Sequence, residues 1–161
     1  MANNGTATNT PFGIRFIRNN TMSQPPLELA LAGGTVHANT LGIIDPTTGL
    51  LLAHTPAADE KIWCLILQEG VSTDLVQVMP IYPGYTFTAQ SVSTTVVAQS
   101  DIGDTCQISG TTGTTQGLDV GTATQAIAVI QNLSKSPIDN TLGKWCNLDF
   151  NIITARLKTG A

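Results

Sequence analysis

Charge is what this chain has least of. Only 11% of its 161 residues are Asp, Glu, Lys or Arg, against about 25% in ordinary soluble domains. Helical bundles need charged wet faces, so the shortage argues against them. Basic residues are the scarcest: seven Lys and Arg, dispersed along the chain, against eleven acids, for a net charge of −4. Binding to nucleic acid draws on counterion release from a basic patch, so no nucleic-acid partner is expected. Long apolar runs are missing too. None approaches the ~20 residues needed to span a bilayer, and no membrane partner is expected. The opening MANNGTATNTPFG carries no apolar h-region, so a secretory signal is not expected either.

Cysteine is rare and odd in number: Cys64, Cys106 and Cys146, far apart and in apolar surroundings. Without a signal, this predicts buried free thiols in a reducing cytoplasm. His37 and His54 have no closely spaced Cys or His partner of the kind zinc requires. No G-x-S-x-G is present. Gly110, Gly113 and Gly117 are spaced G-x-x-G-x-x-x-G with no following helix to bind a phosphate. Gly143-Lys144 lacks the rest of a P-loop, and Asp101-Ile102-Gly103-Asp104 reads as a turn. Trp63 and Trp145 lie within apolar strand patterns, which assigns them to the core rather than to a sugar-stacking platform. No catalytic residue, metal or cofactor is expected, and no enzyme.

What fills the chain is a 42% apolar share set among Thr, Gly, Asn, Ser and Gln, the composition of uncharged β-rich surfaces. Its organising stretch is residues 33–54, GGTVHANTLGIIDPTTGLLLAH, read as a β-hairpin. Two apolar runs, Leu41–Ile44 and Leu50–Ala53, flank the turn Asp45-Pro46-Thr47-Thr48-Gly49. Pro46 has its φ fixed for a turn, Asp45 can accept from the turn amides, and Gly49 can take positive φ.

Around it, strands are predicted at Leu27–Leu31, Ile62–Leu67 (buried on both faces), Leu75–Tyr82 and Tyr85–Thr88. Further strands are predicted at Thr94–Val97, Thr105–Ser109, Ala126–Ile130 and Cys146–Ile152. Pro80 places the end of its strand near an edge. Residues 110–117 read as a polar, outward-facing loop. Lys61-Ile62-Trp63-Cys64-Leu65 is similar to Lys144-Trp145-Cys146-Asn147-Leu148, but the match is short and gapped, as chance would give. About ten short strands, turn signals every 8–12 residues and no long helix indicate an all-β sandwich or small barrel.

Residues 1–24 read as an extended N-terminal arm on a single β domain, residues 25–161. Within the arm Phe12, Ile14 and Phe16 alternate, with Arg15 between and Arg18 after. Such a strand either adds to an edge of its own sheet or to another chain. The arm is expected to be flexible when free and to order only on its partner, with Phe12, Ile14 and Phe16 burying apolar surface there and Arg15 and Arg18 pairing with carboxylates.

Residues 27–87 run in a familiar order. An apolar strand follows a proline, Gly34 and Gly42 flank a strand, and Asp45-Pro46-Thr47-Thr48-Gly49-Leu50 comes next. After it come a buried strand ending near Gly70-Val71, an exposed-edge strand Leu75–Ile81, and Gly84-Tyr85-Thr86-Phe87. This order resembles the lambda-type head-decoration (cement) proteins of tailed bacteriophages. Residues 25–90 correspond to the decoration-like core and 91–161 to a second half of the domain. The resemblance implies a virion protein on the outer capsid surface, assembled in the host cytoplasm. It implies a homotrimer at or near three-fold positions that grips the major capsid protein by its N-terminal arm. A phage tail or fibre module, or a carbohydrate-binding β-sandwich, is the alternative.

Overall fold

The computed structural model describes residues 13–18, 26–53, 63–82, 84–92, 96–121, 127–134 and 147–152. The expectations for Phe12, His54, Trp145 and Cys146 lie outside the described residues. The fold is nearly all β, in curled antiparallel sheets that are part barrel and part sandwich.

The first ring is built from β2 (Leu27–Ala30), β4 (Thr40–Ile44), β5 (Leu51–Ala53), β6 (Trp63–Ile66) and β8 (Leu75–Pro80), in the order β2-β8-β6-β4-β5. Its ends meet: Leu31, just past β2, bridges Leu51 of β5 in parallel, and the Ala32 N–H donates to the Leu51 carbonyl at 3.0 Å. A two-stranded ribbon, β3 (Thr35–Val36) with β7 (Gly70–Val71), is inserted into this ring.

The second ring uses β9 (Thr86–Gln90), β10 (Thr105–Ser109), β11 (Gly117–Asp119), β12 (Ala128–Ser134) and β13 (Asn147–Ile152), in the order β9-β13-β12-β10-β11. It closes in the same way. Ser91 bridges Leu118 in parallel, and the Val92 N–H donates to the Leu118 carbonyl at 2.9 Å. One further strand, β1 (Arg15–Arg18), pairs with β9.

The two rings have one topology, with β2, β4, β5, β6 and β8 equivalent to β9, β10, β11, β12 and β13. The registers agree as well. Leu27 pairs with Val78 and Ile66 with Val78; correspondingly Phe87 pairs with Phe150 and Ile130 with Phe150. Gly42 faces Cys64 as Cys106 faces Ala128. The similarity of residues 61–65 to 144–148 has no part in this, because it sets β6 against β13, which are not equivalent strands.

The hairpin at residues 40–53 forms as its sequence dictates. The Gly49 N–H donates to the Asp45 carbonyl at 2.8 Å with φ of +73°. The Asp45 carboxylate accepts from the Thr47 N–H at 2.8 Å and the Thr48 hydroxyl at 2.8 Å. These donors, the Thr47 amide first, hold its pKa below the ordinary 3.8. β6 is buried on both faces, as its unbroken apolar run predicts. On one side Cys64 and Ile66 fill the first ring with Leu31, Leu51, Val76 and Val78. On the other, Trp63 and Leu65 join Leu41 and Ile43 in a continuous core with Phe87, Ile108, Leu118, Ile130, Leu148 and Phe150 of the second ring. Each such side chain contributes about 1.5–3 kcal/mol by leaving water. β13 alternates as expected, with Leu148, Phe150 and Ile152 buried.

Other expectations are corrected. The described residues form thirteen strands rather than about ten; β3, β7 and β11 are too short for alternation to reveal. The strand beginning at Leu75 is not an exposed edge but lies between β2 and β6. Pro80 is tolerated there because it ends β8 beyond the last pair with β2, Leu27 with Val78. The Ile81 N–H and the Gln77 carbonyl bond to β6, so by alternation the Pro80 nitrogen faces away from it. Val96 and Val97 lie in no strand; a 3₁₀ turn, Gln99–Asp101, follows them. Finally, residues 110–117 do not simply face outward. Thr111, Thr112 and Thr115 tie the loop by hydroxyl bonds, and Gln116 turns inward, 1% exposed.

Gln116 joins the rings. Its Oε1 accepts from the Leu41 N–H of β4 at 2.7 Å, and its Nε2 donates to the Gly110 carbonyl at 3.2 Å. Replacing it by Leu strands a buried amide, and the expected loss in denaturant unfolding is about 1–3 kcal/mol. An unchanged midpoint would show that Leu41 finds another acceptor.

Candidate functional site at the N-terminal strand

Of the two fates open to the strand around Ile14, the described residues take the first: β1 adds to an edge of its own sheet. Arg15 stands opposite Thr88, Phe16 opposite Phe87 and Arg18 opposite Thr86, with a bulge at Ile17. The residues before it are locked in place. The Ile14 N–H donates to the Asn39 carbonyl at 2.7 Å. Gly13 has φ of +78°, and a Cβ there would overlap the Asn39 carbonyl oxygen, so only glycine fits.

The residues expected to meet a partner therefore divide. Ile14 is fully buried in the chain's own core and cannot also bury against another protein. Arg15 is exposed on the edge strand. Phe16 is 37% exposed, with its ring 5.6 Å from Tyr85 and 5.9 Å from Phe87, so it covers the core while showing one face to water. Arg18 is placed by its backbone at the end of β1. Ile17, which the alternation of Phe12, Ile14 and Phe16 passes over, is 44% exposed.

A second apolar surface lies at one end of the first ring. Leu75 is 63% exposed, Val71 56% and Leu67 40%. The Leu67 N–H donates to the Gln77 carbonyl, which sets Leu67 diagonally across from Leu75 on one sheet face. The sequence carries a signal for it: Val76 and Val78 are in phase with the core, so Leu75 falls on the face of the polar Gln77.

The chemistry of the described residues is quiet. They hold no cluster of three metal-ligating side chains and no helix long and apolar enough to cross a membrane. His37 and Glu69 approach to 3.6 Å. Trp63 is fully buried, so it offers no face to a sugar. Cys64 and Cys106 are free and buried. Burial pushes both thiols from 9.0 up to about 12; a Gly42 backbone bond opposes this slightly at Cys64, and Asp119 adds to it at Cys106. Comparison with family models, with curated proteins and with solved structures finds no match.

Two measurements follow. Ile14→Ala should lower stability by about 2–5 kcal/mol in denaturant unfolding, as for other large-to-small core changes; a wild-type midpoint would place Ile14 outside the core. Cys64 and Cys106 should resist alkylation in the native state at pH 8 and react on unfolding. Their raised folded pKa adds stability that is complete below pH 9 and fades as pH rises toward 12. Fast native labelling of either would contradict their burial.

Proposed function

We propose that this protein is a structural component of a virion, a decoration protein that binds the outer surface of a tailed-phage head and stabilises the shell. The observation that carries the reading is the exposed apolar surface of Leu67, Val71 and Leu75 on an otherwise nearly uncharged β scaffold. Apolar side chains grouped at one end of a small domain favour a protein partner. The order of strands and turns over residues 27–87, which resembles the lambda-type cement proteins, supplies the class of partner: the major capsid protein, with further copies of this chain around a three-fold position. In this role the chain does no chemistry. Binding the assembled lattice and not dispersed subunits raises shell stability by linkage, and several attachment points per trimer slow dissociation even where each is weak.

The placement of β1 changes how an arm is tested. Deleting residues 1–24 would remove Ile14 from the core along with any partner contact, so loss of binding would be ambiguous. Deleting residues 1–12 leaves Gly13 and β1 in place and tests the arm alone.

The direct experiment heats expanded heads with and without the protein and follows DNA release, with occupancy read from a gel. Decorated heads should release DNA at a higher temperature, and Leu75→Asp should lower occupancy at least tenfold without altering the circular dichroism spectrum. Equal release temperatures at full occupancy would remove the cement reading.

A further inference from the structure

The equivalence of the two rings exposes a difference between them. In the second ring the outer edge of β9 is covered by β1. In the first ring the equivalent stretch of edge, at Leu27 and Glu28 of β2 and ahead of the bridge from Leu31 to Leu51, is paired with no strand among the described residues. The correspondence is residue by residue. Leu31 and Ser91 are the bridging positions, so Glu28 is equivalent to Thr88 and Leu27 to Phe87. The Leu31 N–H bonds to Asp74 on the β8 side, and the Ala32 N–H to Leu51 on the opposite side. By strand alternation Glu28 therefore directs its main-chain groups to that outer side, ahead of the Leu31–Leu51 bridge that engages the Ala30 carbonyl, as Thr88 directs its own toward Arg15.

The side chains repeat the contrast. Phe87 is fully buried, whereas Leu27 is 44% exposed although it faces the same way. Phe16, 5.9 Å from Phe87, is part of what covers that ring.

We infer that the β2 edge is an acceptor for an extended segment of a partner polypeptide, added antiparallel as β1 is added to β9. The partner's chemistry can be read from β1 and the exchanged residues. A basic side chain in the place of Arg15 falls opposite Glu28, and a large apolar side chain in the place of Phe16 falls opposite Leu27. The segment is thus a basic–apolar strand. Main-chain bonds supply affinity, and these two side chains supply register. The inference rests on the ring equivalence and does not depend on the partner being a capsid.

The test uses the full chain and a labelled synthetic peptide, GIRFIRNN, the sequence of residues 13–20. Saturable binding is expected by fluorescence anisotropy, with slowed hydrogen exchange at the Glu28 amide. Glu28→Lys, an exposed change, should weaken binding at least tenfold with the fold intact by circular dichroism. The same peptide with its arginines changed to glutamate should bind as weakly. Absence of binding at millimolar peptide, or binding indifferent to Glu28→Lys, would overturn the proposal. So would a Glu28 amide as protected in the free chain as Thr88, since the edge would already be filled. A dimer of the free protein that Glu28→Lys dissociates would also overturn it, by making a second copy the occupant.

Discussion

Consecutive amides at Leu31 and Ala32 donate to different strands, to Asp74 on one side and Leu51 on the other. That divergence closes the first ring, and the Ser91–Leu118 bridge, with the Val92 N–H on the Leu118 carbonyl, closes the second. The rest of the fold depends on it. β5 and β11 span only three residues each, too few to hold a sheet edge on their own pairing. Closure gives each a neighbour on both sides and removes a free edge. It also fixes which side chains point inward. The first ring is filled by aliphatic residues and Cys64 around Gly42, where an added Cβ would press on Ile66 and Leu51. The second has phenylalanine at the positions equivalent to Leu27 and Val78. Its core also receives Leu41, Ile43, Trp63 and Leu65 from the outer face of the first ring.

Between the rings the core contacts are apolar and non-directional, and a buried hydrogen bond fixes them. The Gln116 amide bonds to the Leu41 main chain across 75 residues of sequence. An apolar interface alone tolerates sliding, whereas a buried hydrogen bond with both partners fixed does not. Gly113 lies close by: a Cβ there would meet the Ala38 carbonyl oxygen at 2.7 Å. Gly13 packs against Asn39 and Gly113 from the other side. The segment leading into β1, the turn before β4 and the threonine loop thus form one joint, and a glycine or an amide is required wherever two backbones approach. This explains why a run that reads as solvated loop is partly buried.

Much of this architecture is legible in the residues. Alternation in Asn147–Ile152, the unbroken apolar run at β6 and the Asp-Pro-Thr-Thr-Gly turn each specify their local structure directly. What is not legible is non-local. β7 hides inside a turn signal, because two residues carry no period. The internal place of β8 depends on where β2 stops, which Pro80 alone does not reveal. The inward turn of Gln116 depends on an orphan amide 75 positions away. The repeat of the ring is hidden for a related reason. Equivalent positions need only be apolar and the right size, so Ile66 and Ile130 coincide while Cys64 and Ala128, or Val78 and Phe150, do not. At the N-terminal strand the alternation identifies the strand itself, but not that Ile14 belongs to the core while Phe16 and Ile17 reach the surface.

The two equivalent edges show how a sheet can admit one strand and refuse others. Thr88, opposite Arg15, is neutral and β-branched, well suited to a partner supplied by its own chain, which is always present. Its counterpart Glu28 is charged. An acidic side chain on an open edge disfavours pairing of two β2 strands about Glu28, since antiparallel self-association in that register sets the carboxylates against each other. The same charge favours a strand carrying a cation in register. On a chain with so few charged residues, a glutamate at this position does more than solubilise. It makes an edge that would otherwise be an aggregation hazard selective, and Leu27 beside it keeps the apolar surface that a correctly registered partner would bury.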